Sequence, residues 1–171
     1  MVVAKNSRDK KLGMNPKIRL AKRSDVAGML AIYVPFILET SISFEMRVPS
    51  EDEFWGRVEK VLAKTPWLVC VINGEIAGYA YAGDHRERTA YQWNREFSAY
   101  ISPKYHQRGI ASAMYNSLIE IIQLQGYQNA LSGITLPNDK SVGFYENFGF
   151  KSIGIYHNVG FKFGQWHSVG W

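Results

Sequence analysis

The sequence predicts a mixed α/β fold in which antiparallel strands come first and a β-α-β unit follows. Residues 67–72 are a run of apolar, strand-forming residues, and the Asn73-Gly74 pair after them is a strong signal for a two-residue hairpin turn. Further along, the apolar spacing of residues 110–125 is typical of an amphipathic helix, and strand-like segments lie on both sides of it. A helix that connects two strands indicates a crossover, so we expect a mixed sheet.

Length, composition and charge favour one globular domain behind a basic arm. The chain has 171 residues, of which 46% are hydrophobic and 20% are charged, and this is enough for a substantial core. The net charge is +5, but the first 23 residues hold eight of the 20 basic residues and one acidic residue, so the other 148 residues carry −2. We therefore predict a disordered N-terminal arm over residues 1–16 and a single domain over residues 17–171. Nucleic-acid binding is not expected, because nucleic-acid-binding domains carry basic residues on the folded surface.

The cysteine and histidine residues limit location and metal chemistry. The single cysteine, Cys70, excludes an internal disulfide framework. No apolar run approaches the roughly 20 residues that a membrane span needs, and the N-terminal residues lack the apolar core of a signal peptide. We therefore predict a cytoplasmic protein that does not contact membranes. The four histidines lack the spacing of metal ligands, so no metal site is predicted.

Three elements are expected before the hairpin. Residues 18–20 indicate a short first strand. Ser24 is placed to cap a helix that continues to about Tyr33, and Pro35 is expected to break or kink this helix. A second helix is expected after Ser50, because acidic residues fill what would be its first turn. Its apolar face consists of Phe54, Val58, Val61 and Leu62.

Glycine and proline residues bound the later elements. We predict further strands over residues 76–81, 91–101, 130–135, 150–156 and 161–166. We predict helices over residues 110–125 and 139–148, which Gly126 and Gly149 would end. The polar residues 83–89 are expected to form a loop, and Asn158-Val159-Gly160 is expected to join the last two strands.

The turn before the helix at residue 110 is suited to binding an anion. Its sequence is His106-Gln107-Arg108-Gly109-Ile110-Ala111. A tight, glycine-containing turn at a helix N-terminus points several backbone N–H groups outward, at the positive end of the helix dipole. The segment therefore predicts an anion cradle that fits a pyrophosphate group.

This turn and two downstream segments together resemble the GNAT family of acyl-CoA N-acyltransferases. The downstream segments are Asn138-Asp139-Lys140-Ser141 and Tyr145-Glu146-Asn147-Phe148-Gly149-Phe150. Six further segments resemble the phosphinothricin and methionine sulfoximine N-acetyltransferases of that family: Trp67-Leu68-Val69, Ala80-Tyr81-Ala82-Gly83, Arg88-Thr89-Ala90-Tyr91, Tyr100-Ile101-Ser102-Pro103, Leu136-Pro137-Asn138-Asp139 and Gly160-Phe161-Lys162. The resemblance implies a GNAT fold: a strongly twisted, mostly antiparallel mixed sheet with flanking helices and a central pair of parallel strands whose ends splay apart.

The resemblance also implies where acetyl-CoA binds. The splayed strands would be residues 97–101 and 130–135, and acyl-CoA would enter between them as a pseudo-strand. Backbone N–H groups around residues 107–111 would hold the pyrophosphate, and Asn138 would bind the pantetheine arm. Family members usually have Gln or Arg three residues before the glycine, where this chain has His106, and we expect a small effect because the cradle is mainly backbone. The implied cofactor-binding residues are Tyr100, Ile101, His106, Gln107, Arg108, Gly109, Ile110, Ala111, Asn138 and Ser141.

Two residues are candidates for the proton transfers that acetylation of an amine requires. Glu96 lies in a strand beside Trp93 and Phe97, where a carboxylate is costly without a role or a partner, and by resemblance it is the catalytic base. The alternative for Glu96 is an ion pair with Arg95 or a surface position. By resemblance Tyr145 is the acid toward the CoA sulfur, although many phosphinothricin acetyltransferases carry histidine there. The alternative for this tyrosine is a core position.

The loop after the third predicted strand suggests an anionic acceptor. Arg86 and Arg88 lie in this loop, and together with Tyr91 they suit a carboxylate or phosphinate group. The alternative for the two arginines is solvated loop charge. The candidates for the pocket walls are Phe44 and Tyr100, which core packing would explain equally well, and Thr135 beside the acyl group.

These observations predict an acetyl-CoA-dependent N-acetyltransferase that acts by direct transfer on the α-amino group of phosphinothricin, methionine sulfoximine or methionine sulfone. Cys70 is expected to be buried, which leaves no accessible thiol to accept the acyl group. Two alternatives stay open: the same chemistry on a polyamine, an aminoglycoside or a protein N-terminus, and an acyl-CoA-binding module without catalysis. The resemblance implies a homodimer, which the aromatic C-terminal residues support weakly. Relatives continue for a few residues past the position of Trp171, so the last strand is expected to be incomplete.

Overall fold

The computed structural model describes residues 15–171; residues 1–14 of the predicted arm lie outside the described residues. The strands are β1 (Lys17–Leu20), β2 (Trp67–Ile72), β3 (Glu75–Asp84), β4 (Asn94–Ile101), β5 (Asn129–Leu131), β6 (Ile134–Leu136), β7 (Ile155–Lys162) and β8 (Gln165–Gly170). The α-helices are α1 (Val26–Leu38), α2 (Glu51–Leu62), α3 (Ile110–Leu124) and α4 (Asp139–Asn147).

The larger sheet has five strands in the order β1-β2-β3-β4-β5. The first four strands pair antiparallel, and β4 pairs parallel with β5, so the expected mixed sheet is confirmed. Helix α3 connects the two parallel strands, as a crossover must. A second, three-stranded antiparallel sheet has the order β6-β8-β7.

The larger sheet separates two hydrophobic cores. Alternation along β2 sends Leu68 and Cys70 to the side of α3, whereas Trp67 and Val69 face α1 and α2. The sole cysteine is buried, as expected. The α3 side is packed by the apolar stripe predicted for this helix, including Met114, Leu118 and Ile122. Hydrophobic residues therefore cover both faces of the central strands of the larger sheet.

The structure has a hairpin turn, a helix start and a helix end where glycine, asparagine and serine residues predicted them. Asn73 and Gly74 have φ values of 51° and 85°, the left-handed pair that a tight hairpin turn requires. Ser50 caps α2, since its side chain accepts a hydrogen bond from the backbone N–H of Glu53 at 3.1 Å. The Glu53 carboxylate in turn accepts a hydrogen bond from the backbone N–H of Ser50 at 2.8 Å. Gly126 ends α3 with φ 83°.

The first helix departs from the prediction at both ends. Ser24 does not cap it: residues Arg23–Asp25 form a 3-10 turn, and α1 starts at Val26. Asp25 accepts a bond from the backbone N–H of Lys22 at 2.9 Å and is held by Arg19 at 2.6 Å, so the carboxylate organises this entry in place of the serine. Pro35 lies inside α1, and the helix continues to Leu38. A proline this close to the end removes little of the helical bonding, and buried Ile37 anchors the last turn.

The strand predicted over residues 130–135 is wrong as one element, because β5 and β6 belong to different sheets. β5 pairs with β4, and β6 pairs with β8. The chain changes sheet at Ser132 and Gly133, where the Ser132 hydroxyl donates to the Phe97 carbonyl oxygen at 3.1 Å. A Cβ on Gly133 would lie 3.2 Å from the Trp171 ring, so a small residue is needed at this bend.

The final hairpin is also shifted from its predicted position. The turn is Phe163-Gly164, with φ values of 53° and 76°, and it joins β7 to β8. Asn158 and its neighbours, predicted as the turn, form an irregularity inside β7, where the pairing shifts between Tyr156 and Gly160. An Asn with positive φ suits either a turn or a bulge, and strand pairing decides between them.

Candidate active site

The larger sheet opens between β4 and β5. The two strands pair only from Asn94 to Glu96, opposite Asn129 to Leu131. β4 then continues to Ile101, while the other chain turns away at Ser132 to join the second sheet. The predicted splay is therefore present, and it places the second half of β4 beside a gap.

The predicted anion cradle lies at the end of this gap. Gly109 is the N-cap of α3 in the left-handed conformation, with φ 76°, and Gln107 has φ 59°. The first backbone N–H groups of a helix have no partner within it, so those at Ile110 and Ala111 point out of the helix N-terminus. The His106 Nε2–H donates to the Ile101 carbonyl oxygen at 3.0 Å, which ties the turn to the end of β4.

Two other predicted cofactor residues contact aromatic rings. The Tyr100 ring faces α1 and packs edge-on against Tyr33 and Phe36, at 4.8 Å and 5.1 Å between ring centroids. The Arg108 guanidinium lies 5.7 Å from the centre of the Tyr105 ring.

The Asn138 side chain caps α4. Its carbonyl oxygen accepts a hydrogen bond from the backbone N–H of Ser141 at 3.2 Å. This bond uses the oxygen of the amide, and the role of Asn138 toward pantetheine stays a prediction.

Glu96 lies where the strand pairing ends. Its carboxylate Oε2 is 3.3 Å from Nδ1 of His85, and its side chain is 34% exposed. Burial raises the pKa of Glu96, and His85 and Arg86 act in the opposite direction. The alternative pairing with Arg95 is wrong: that guanidinium is buried on the other face of the sheet, bonded to the Asp84 carboxylate and to the Tyr127 hydroxyl.

Tyr145 approaches the same gap from α4. Its hydroxyl is 2.8 Å from the hydroxyl of Tyr115 on α3. Burial raises the pKa of Tyr145, hydrogen bonding with Ser132 and Tyr115 opposes the rise, and the nearby charge of Glu96 adds to it. The gap is therefore flanked by a carboxylate with an elevated pKa and by a phenol that stays protonated at neutral pH.

Two of the three predicted acceptor-loop residues come together beside Glu96. The Arg86 guanidinium lies 5.7 Å from the centre of the Tyr91 ring and donates to the Tyr156 hydroxyl of β7 at 3.0 Å. Arg88 precedes the 3-10 turn Thr89–Tyr91 and is exposed, and no ion pair of its side chain is found within residues 15–171. Arg86 and Tyr91 thus form part of a wall, whereas Arg88 points a charge to solvent.

The remaining wall candidates depend on the second sheet. The Phe44 ring covers Gly160 so closely that a Cβ there would overlap it, and the ring centre lies 6.1 Å from that of His167. Thr135 pairs with Val169 between β6 and β8 and is half-buried. Phe44 is therefore attached to the second sheet although it belongs to the segment between α1 and α2.

Several residues of the site were not selected from the sequence. His85 contacts Glu96 directly, and its ring packs edge-on against Trp171 at 5.2 Å between centroids. Tyr115 bonds Tyr145 from the buried face of α3. The only available signal for His85 was its place beside Arg86 in a polar loop, and for Tyr115 its place beside Met114 in the apolar stripe.

A buried lysine, Lys162, was also missed. Its ammonium donates to the carbonyl oxygens of Ile37 at 2.6 Å and Ser43 at 2.5 Å. Burial lowers the pKa of Lys162. The Lys162 ammonium thus connects β7 to the segment that carries Phe44. No sequence pattern indicates a contact between residues so far apart in the chain.

A cavity of about 600 Å³ lies behind Tyr145. It is lined by residues of β5, β6 and α4, by residues 148–155 and by Trp171. Within residues 15–171 no cluster of three or more potential metal-ligating side chains is found. In the same part of the chain, no helix combines the length and apolarity that crossing a bilayer requires.

Comparison with known proteins finds acetyltransferases that match most of the chain. A family model described as an acetyltransferase (GNAT) domain matches residues 18–171. The phosphinothricin N-acetyltransferase of Streptomyces viridochromogenes is 33% identical over 154 residues, covering 90% of this chain and 84% of that protein. The L-methionine sulfoximine/L-methionine sulfone acetyltransferase of Salmonella typhimurium is 29% identical over 151 residues, covering 87% of this chain and 88% of that protein.

Solved structures are similar over the same region. An N-acetyltransferase from Staphylococcus aureus superposes with a TM-score of 0.87 at 33% identity, covering 91% of this chain and 95% of that chain. A GNAT superfamily phosphinothricin acetyltransferase from Sinorhizobium meliloti, in complex with AcCoA, superposes with a TM-score of 0.86 at 29% identity, covering 91% and 85% of the two chains.

Proposed function

This chain belongs to the GNAT acetyltransferase family and is an acyltransferase, and we propose that it transfers the acetyl group of acetyl-CoA to the α-amino group of a small, anionic amino-acid analogue. The observation that supports the proposal is that Glu96 lies where the pairing of β4 and β5 ends and is close enough to Tyr145 for its charge to act on that phenol. Similarity to phosphinothricin and methionine sulfoximine acetyltransferases makes those compounds and methionine sulfone the leading acceptors. The single domain over residues 17–171 is part of the same proposal.

The cofactor would lie along the open edge of β4. When bound, acetyl-CoA supplies an activated thioester. Backbone N–H groups of Ile110 and Ala111 would hold its pyrophosphate, since they combine free donors with the positive end of the helix. Gly109 suits this role because its φ of 76° disfavours any residue with a side chain.

Glu96 would accept a proton from the acceptor ammonium. The neutral amine would then attack the thioester carbonyl carbon, and the C–S bond would break as Tyr145 donates its phenolic proton to the departing thiolate. The second proton that the amine nitrogen loses on becoming an amide would return the Tyr145 phenolate to the phenol. Tyr115 is placed to donate to the Tyr145 oxygen as charge develops there. Direct transfer is favoured because Cys70 is 1% exposed and is packed in the core, where it is not accessible to accept an acyl group.

The acceptor would be bound by the loop after β3. Arg86 and Tyr91 lie beside the His85–Glu96 pair, and Arg88 adds a second positive charge at the same strand end. Two guanidinium groups suit a carboxylate or phosphinate and disfavour a cationic polyamine or aminoglycoside. This charge is the observation against the second candidate function, acetylation of a cationic amine.

A homodimer in the cytoplasm is the remaining part of the proposal. The β7–β8 hairpin exposes large aromatic side chains, which are Tyr156, Phe161, Phe163 and Trp166. Contiguous exposed apolar surface of this kind supports a protein–protein contact. Size-exclusion chromatography with light scattering of wild type and Trp166→Glu tests it, and a monomeric wild type would overturn it.

The function is tested by measuring free-thiol release from acetyl-CoA with a panel of acceptors. The panel contains phosphinothricin, methionine sulfoximine, methionine sulfone, common amino acids, spermidine and an aminoglycoside. We expect turnover confined to the first three compounds. Turnover on spermidine or the aminoglycoside would support the second candidate instead. Acetyl-CoA binding without any turnover would favour a binding module.

A further inference from the structure

We propose that His85 is a positioning residue that orients the Glu96 carboxylate and keeps it ionised as the base of the reaction. The inference rests on the proposed function, because it deepens the role of Glu96. It concerns a side chain that no motif selects and that contacts the candidate base directly.

The fold brings His85 to Glu96 through strand pairing. Gly83 pairs with Glu96, and Asp84 pairs with Arg95, in the antiparallel register of β3 and β4. His85 is the first residue after β3, so its side chain turns back over the sheet toward the carboxylate. The resulting distance from Nδ1 to Oε2 is 3.3 Å, which is within reach of a hydrogen bond.

Neighbouring rings restrict the imidazole. It packs edge-on against Trp171 at 5.2 Å and against Tyr91 at 6.4 Å, with interplanar angles of 75° and 77°. Only 12% of the His85 side chain is exposed. A ring held on two sides keeps Nδ1 aimed at Glu96 and therefore gives the carboxylate one preferred orientation.

The other titratable groups facing Glu96 do not replace this contact. Arg86 acts on it through charge, but its guanidinium bonds the Tyr156 hydroxyl at 3.0 Å. Tyr81, on β3, and Tyr145, on α4, feel the charge of Glu96, and both have raised pKa values because they are buried. Within residues 15–171, His85 is the side chain whose hydrogen bond to Glu96 is observed.

The chemistry follows from the direction of this bond. With a proton on Nδ1, the imidazole donates to Oε2, which stabilises the carboxylate form against the cost of burial. Oε1 then remains available to accept the ammonium proton. Glu96 gains that one proton and becomes a carboxylic acid, His85 keeps its own proton, and the acid later loses the transferred proton to water.

The test compares His85→Phe with His85→Asn. Phenylalanine keeps a ring against Trp171 and Tyr91 but has no donor, whereas the asparagine amide places an N–H near the position of Nδ1. We expect the acidic limb of the kcat/KM profile to move to higher pH in His85→Phe, with a roughly tenfold loss at low pH that shrinks as pH rises. His85→Asn should restore most of the low-pH activity. The control is Gln123→Phe, at an exposed residue near the C-terminal end of α3 and outside both sides of the site, which should leave the profile unchanged.

A second measurement does not need turnover. Carbon-detected NMR titration of the Glu96 carboxyl should show a higher pKa in His85→Phe than in the wild type and in His85→Asn. An unchanged Glu96 titration and an unmoved acidic limb in His85→Phe would overturn the proposal. If the wild type acetylates none of the acceptors, the proposed function fails, while the titration still decides whether His85 controls the ionisation of Glu96.

Discussion

The two sides of the candidate site are assembled in different ways. The proposed cofactor side consists of residues 97–111 and the start of α4. Its contacts join close neighbours: His106 bonds Ile101, five residues away, and Asn138 bonds Ser141, three residues away. The acceptor side consists of residues 39–46, residues 84–91 and the β7–β8 hairpin. Its contacts span the chain, since Arg86 bonds Tyr156 across 70 residues and Lys162 bonds Ile37 across 125.

Local contacts are therefore enough to form the proposed cofactor side, whereas the proposed acceptor side depends on contacts between distant parts of the chain. A cradle for a common cofactor needs a turn and a helix N-terminus, which one short segment can provide. A pocket for a particular acceptor needs walls from several elements, each held by tertiary contacts. Substitutions on the two sides should therefore separate into effects on acetyl-CoA and effects on the acceptor.

The largest expected effect lies where the two sides meet, at Glu96. Glu96→Gln keeps the size of the side chain and removes the proposed base, so kcat should fall about 100-fold or more. The acidic limb of the pH–rate profile, which the elevated pKa of Glu96 would set, should disappear. Calorimetry should show unchanged acetyl-CoA binding. An unchanged pH–rate profile in Glu96→Gln would remove this residue as the base.

Tyr145→Phe should have a smaller effect on the same step. A thiolate is a fair leaving group, because an ordinary thiol has a pKa near 8.5, so losing the acid should lower kcat about tenfold to 100-fold. The loss should increase as pH rises, since water protonates the thiolate less readily there. The matched control is Tyr115→Phe, which keeps the acid and removes its partner hydroxyl. An equal, pH-independent loss in both variants would indicate a packing role for this pair.

The sequence was sufficient for the parts that depend on near neighbours. The Asn73-Gly74 turn, the start of α2 after Ser50 and the glycine-containing turn before α3 need only a few adjacent residues, and each was located from them. Residues 130–135 and the last hairpin were misassigned because the change of sheet at Ser132 depends on strand pairing. The contact of His85 with Glu96 could not be predicted either, because it depends on the pairing of β3 with β4.

Lys162→Met tests whether the acceptor side really depends on distant contacts. The substitution leaves the buried carbonyl oxygens of Ile37 and Ser43 without their donor, so the segment that carries Phe44 should loosen. We expect the acceptor KM to rise about tenfold, with kcat and the acetyl-CoA KM nearly unchanged. Lys60→Met, at an exposed lysine of α2, is the control. Equal increases in both KM values would mean that Lys162 supports the whole fold and not one side of the site.

Arg88→Ala tests the charge of the acceptor loop alone. Arg88 is exposed, and an exposed ion pair contributes at most about 1 kcal/mol, so the KM for anionic amino acids should rise up to about fivefold. The increase should shrink at high salt, because screening weakens the same attraction. An equal loss with neutral amines would show that the arginine is structural.

Gly109→Ala is the corresponding test on the cofactor side, and we expect its effect to be the smallest. A Cβ here meets nothing within 4 Å, so the cost is the left-handed backbone alone, about 1 to 2 kcal/mol of unfolding free energy. Gly56→Ala is a matched control, because it also meets nothing within 4 Å but lies within α2, where alanine should stabilise the protein by about 0.5 to 1 kcal/mol. Gly109→Ala should also weaken acetyl-CoA binding a few-fold, since the first N–H groups of α3 shift, while the acceptor KM stays the same. A raised acceptor KM with intact acetyl-CoA binding would contradict the division of the site into two sides.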